Sequence, residues 1–171
     1  MRVQRSWLMG ATTGRTALVL QFAVGRAAFA ESFLPGTAFD AELVYWPGAA
    51  PQRAKVLRRE GEVRTWSGPL PTLSLEGLGQ RFAQQLSQQP FQETTPVLLG
   101  QVTPVMDARA QWWLLDAAGT AVRLGTGNRW LLLSLSGGQP LDVFGDWDGE
   151  ELRPLSTRVG PTIHPLVEAA S

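Results

Sequence analysis

The 171-residue chain has no cysteine, and it has one lysine, one histidine and one tyrosine. Without cysteine there is no disulfide, no thiolate nucleophile and no Cys-ligated metal, which fits a reducing compartment. His164 stands alone before Pro165 in a proline-bearing tail. One imidazole without Cys builds neither a zinc site nor a nucleophilic triad, so an exposed tail residue is expected. No apolar run reaches the ~18–20 residues of a membrane helix. No membrane partner is expected, and the location implied is cytoplasmic. Arg2 and Arg5 ahead of the apolar stretch Thr16–Val24, with Ala28-Phe29-Ala30 beyond it, have the outline of a secretory signal. Gln21 and Arg26 interrupt that outline, and a strand accounts for the same residues.

Catalytic motifs are also missing. Leu133-Ser134-Leu135-Ser136-Gly137-Gly138 lacks the glycine two positions before a serine that a nucleophile elbow requires. Gly125-Thr126-Gly127-Asn128 has neither a Walker lysine nor a third Rossmann glycine. The expectation is a non-enzymatic chain with no catalytic residues, no metal and no cofactor.

What is present is globular: 44% apolar and 18% charged residues, with seven Trp and seven Phe as bulky anchors. Formal net charge is zero but uneven. Residues 1–70 hold nine Lys/Arg against five Asp/Glu, or +4, and residues 71–171 hold six against ten, or −4. Arg53, Lys55, Arg58, Arg59 and Arg64 form a basic patch near Trp66. On a β ribbon such side chains could track phosphates while the indole stacks on a base, or they could simply protect a strand edge. Asp142, Asp146, Asp148, Glu150 and Glu151 form an acidic run. Its glycine falls too early for a calcium loop, and paired carboxylates could serve a hydrolase, but Asp148-Gly149 reads first as a hairpin turn.

The spacing predicts an α+β fold, mostly an antiparallel β meander with one main amphipathic helix. Residues 1–14 read as a flexible lead-in and 15–157 as a single β-rich domain. That domain has N-terminal strands over 15–70, the helix within 71–92 and the meander over 93–157; 158–171 read as a mobile tail. Arg53–Arg59 and Glu62–Trp66 read as a hairpin turning at Glu60-Gly61. Leu75, Leu78, Phe82 and Leu86 make one helical stripe over about residues 74–89, with Ser74 as N-cap and Pro90 as terminator. Gln84, Gln85, Gln88 and Gln89 read as its solvated face. Gln111–Leu115, Thr120–Leu124, Trp130–Leu135, Leu141–Trp147 and Glu150–Leu155 read as strands.

Trp112 and Trp113 are adjacent on one of these strands, so they must point to opposite faces. One of them is the candidate anchor for a protein partner. The phrases Pro35-Gly36-Thr37-Ala38-Phe39-Asp40-Ala41-Glu42-Leu43-Val44-Tyr45-Trp46-Pro47, Trp112-Trp113-Leu114-Leu115-Asp116, Leu131-Leu132-Leu133-Ser134-Leu135-Ser136-Gly137-Gly138-Gln139-Pro140 and Val143-Phe144-Gly145-Asp146-Trp147-Asp148-Gly149 resemble the region that follows the zinc finger in bacterial SWIM zinc finger proteins. The likeness covers roughly residues 15–157 and rests on strands and turns. The finger itself needs a Cys-x-Cys pair and a later Cys-x-His, none of which is here. No ligand carries over, and the resemblance implies a companion β domain for protein association, with nucleic acid as the alternative partner.

Overall fold

A computed structural model describes residues 1–48 and 52–166. The chain is α+β and mostly β, as expected, with ten strands and two helices among the described residues. It divides into two compact units, the first Met1–Pro71 and the second beginning at Thr72. The break falls at the proline-marked boundary between the expected N-terminal strands and the helix, where a single domain had been read.

The first unit consists of two two-stranded antiparallel sheets. β1 (Arg2–Met9) pairs with β2 (Thr16–Ala23), and β3 (Thr37–Tyr45) pairs with β4 (Ala54–Thr65). The expected lead-in is therefore a strand. The Gly10–Arg15 turn folds it back, with the Gly10 N–H donating to the Arg15 carbonyl at 2.9 Å. The expected hairpin at Glu60-Gly61 is also corrected. β4 runs straight through it, and the positive φ of Gly61 (67°) serves a bulge between the pairs Ala38–Arg64 and Asp40–Glu60. Pairing with β3 continues past Gly61 from Tyr45–Ala54 to Thr37–Thr65, so both halves of β4 find ladder partners on β3 rather than on each other.

The second unit holds the main core. Helix α1 (Leu75–Gln88) begins at Ser74, whose hydroxyl accepts the Gly77 N–H at 3.2 Å. Leu75 and Leu78 are buried, as the stripe requires, but Gln85 is buried as well and is not part of a solvated face. Five strands follow: β5 (Thr95–Met106), β6 (Trp112–Leu115), β7 (Ala121–Leu124), β8 (Leu141–Trp147) and β9 (Glu151–Val159). β5 pairs with β8 through its first half and with β6 through its second. A bulge between Leu99 and Val102 lets it turn from one partner to the other, with Gln101 in the left-handed region (φ 55°). Because β9 pairs with both β7 and β8, the circuit β5-β6-β7-β9-β8 closes on β5. Leu99, Val102, Leu114, Val143 and Leu152 are fully buried within it.

Two further expectations are corrected here. Residues 130–135 form helix α2 (Arg129–Ser136) instead of a strand. Asn128 caps its start by accepting the Leu131 N–H, and Gly137 ends it in the left-handed conformation. Most of the expected mobile tail is ordered. β9 extends to Val159, and Gly160-Pro161 turns the chain into β10 (Thr162–Pro165), which pairs back on β9. His164 lies opposite Thr157 in that ladder, half-buried. The last part of that tail, 167–171, lies outside the described residues.

Candidate binding face of the barrel

Alternation along β6 sorts its two indoles. Trp112 points inward and is 5% exposed, with its ring edge-on to Trp130 at 4.9 Å between centroids and under the Arg129 guanidinium at 5.5 Å. It is a core residue, which corrects its candidacy as a partner anchor. Trp113 points outward and is half-buried. It pairs across the sheet with Val105 on β5 and Arg123 on β7, and Arg123 pairs in turn with Glu151 on β9. Pairs directly across a sheet share a face, so Val105, Trp113, Arg123 and Glu151 form one outward row. The Arg123 Nε lies 4.0 Å from a Glu151 carboxylate oxygen.

Asp107, in the β5–β6 loop, fixes the indole. Its Oδ2 accepts the Trp113 Nε1–H at 3.0 Å, while Oδ1 accepts the backbone N–H groups of Arg109 and Gln111. The Gln111 N–H above all, then the indole, then the Arg109 N–H hold this carboxyl below its ordinary value of 3.8. A depressed folded-state pKa means that the stability these bonds supply is present above the unfolded value and is lost as pH falls through the folded one. The midpoint of the acid shift of the Trp113 indole N–H resonance is expected to fall below the ordinary carboxyl value of 3.8. An Asp107→Ala variant is expected to show no such acid transition in the same NMR titration.

The acidic run is dispersed by the fold. Asp148 Oδ1 accepts the N–H groups of Glu150 and Glu151, each at 2.8 Å, and shapes the β8–β9 turn. Asp142 accepts the Gln101 N–H at the β5 bulge, and Glu151 faces Arg123. Among the described residues, no group of three or more His, Cys, Asp or Glu side chains could hold a metal ion.

The basic patch lies along β4 and the residue before it, and its charges are largely engaged. Arg58 pairs with Glu60, and Arg64 lies 3.5 Å from Asp40. Arg59 sits 4.5 Å from the Phe33 ring and 4.6 Å from the Phe39 ring. Arg53 lies over Trp46 at 5.0 Å, and Lys55 is exposed. No helix among the described residues is long and apolar enough to cross a membrane.

Five strands closed in the order β5-β6-β7-β9-β8, with a parallel step from β7 to β9 and a helix between β7 and β8, have the connectivity of an OB-type barrel. No family model matches the chain, and no curated protein or solved structure among those compared does either. Residue pattern marked Trp112 and Trp113 as a pair with one indole outward, and the burial of Trp112 leaves Trp113 as the outward one. Its neighbours Val105, Asp107, Arg123 and Glu151 were missed because only the register brings them together.

Proposed function

We propose that the chain is a non-enzymatic accessory domain that binds a protein partner through the outer β6–β7 face, with Trp113 as its anchor. One observation carries this reading: of two adjacent indoles, one is spent on the core and the other faces outward with its Nε1–H held by the Asp107 carboxylate. An aromatic fixed on a rigid strand contributes contact area without losing rotamer freedom on binding. The fold alone would not assign a function. A polyanion is disfavoured at the Trp113 face because the second unit, which carries that face, has more acidic than basic residues. The resemblance to the region after the finger of SWIM proteins supports the same accessory role, and a cytoplasmic setting goes with it.

Pull-downs with wild type and Trp113→Ala, followed by titration of the purified partner, test this reading. Loss of a central aromatic anchor is worth about 2 kcal/mol or more, roughly a thirtyfold weaker Kd. Unchanged affinity for a folded Trp113→Ala protein would remove the proposal.

A further inference from the structure

The N-terminal unit carries a second surface, independent of Trp113. Among its described residues, the apolar side chains it buries are only Ala17, Val19, Ala23, Ala54 and Val56. Its two ribbons meet at one parallel bridge, Leu18 with Arg53, where the Leu18 N–H donates to the Gln52 carbonyl at 2.7 Å. Backbone groups on one side of a strand recur every second residue, so Leu20 and Phe22 also direct their N–H and C=O away from β1. On β4, the Arg53 carbonyl accepts from Trp46 on the β3 side, so Ala54 and Val56 direct theirs away from β3. The bridge takes up the Ala54 N–H, and beyond it the N–H and C=O groups of Leu20, Phe22 and Val56 have no ladder partner among the described residues. They border a crevice of about 360 Å³ floored by Val19 and Val56, with Phe22 and Trp46 about half exposed at its rim. Arg53 and Lys55 stand exposed along it, against the single half-buried carboxylate of Glu31.

We infer that this crevice takes an extended segment of a protein partner as an added β strand, with apolar residues alternating with acidic ones. Open strand edges supply main-chain hydrogen bonds, a pocket for every second side chain supplies selection, and the two cations select carboxylates. The segment would extend two ribbons that, as isolated pairs of strands, are marginal by themselves.

The test titrates the full chain with the peptide acetyl-Asp-Val-Glu-Val-Asp-Val-amide, followed by calorimetry. The expected result is saturable binding that weakens at least tenfold when alternate peptide nitrogens are methylated on the strand-pairing side, since two or more hydrogen bonds are lost. Lys55→Glu is expected to weaken it as well, while Trp113→Ala leaves it unchanged. No binding at about 1 mM peptide, or equal binding of the methylated peptide, overturns the inference. So does a dimer in sedimentation that Lys55→Glu dissociates, which would make a second copy the occupant.

Discussion

Replacing Trp112 by Ala is expected to destabilise the barrel by about 3–5 kcal/mol, the range for removing a buried aromatic side chain. The indole is 5% exposed and packs against Trp130 and under the guanidinium of Arg129, contacts that an Ala side chain does not reach. Domains of this size hold ~5–15 kcal/mol in total, so much of the population would unfold under mild denaturant. Urea unfolding followed by circular dichroism reads the effect directly. The neighbouring Trp113→Ala is expected to move the midpoint far less, because its ring leaves the core intact. Equal losses at the two positions would contradict the sorting of the indoles by strand alternation.

Gly145→Ala is expected to be nearly as damaging, at about 3 kcal/mol, although it adds one methyl group. A Cβ at this position would press into the backbone carbonyl of Arg153 and reach Leu152 Cγ at 3.1 Å. The obstacle is main chain in the paired strand, so relief requires opening the β8–β9 ladder that closes the barrel. Gly79, inside α1, offers the opposite result: a Cβ there meets nothing within 4 Å. Gly79→Ala is expected to stabilise by ~0.5–1 kcal/mol through helix propensity. Thermal melts of the two variants should therefore shift in opposite directions, and a Gly145→Ala melt at the wild-type temperature would refute the tight strand approach.

The sequence made some of this architecture legible and concealed the rest for physical reasons. Helix α1 was readable because its stripe, N-cap and terminating proline agree, and the hairpins at Asp116 and Asp148 were readable from their Asp and Gly residues. The Leu131–Leu135 run was ambiguous, because a short apolar run suits a buried strand or a helix equally. Asn128 and Gly137 were the caps that would have decided it. The Gly160-Pro161 pair looked like the start of a loose tail, yet the φ of 57° at Gly160 makes a tight turn and β10 pairs beyond it. The row around Trp113 was out of reach because it depends on register. Starting β7 at Thr120 places Val122 opposite Trp113, whereas the Asp116 N–H bonded to the Thr120 carbonyl starts the ladder at Leu115–Ala121 and puts Arg123 there. A one-residue slip exchanges the two faces of a strand.

The most direct test of the central claim is calorimetric titration of the purified partner against wild type and Trp113→Ala, with both proteins shown by circular dichroism to be folded. The account predicts that the variant keeps its fold and binds roughly thirtyfold more weakly. Equal affinities, or binding lost only through unfolding, would contradict it.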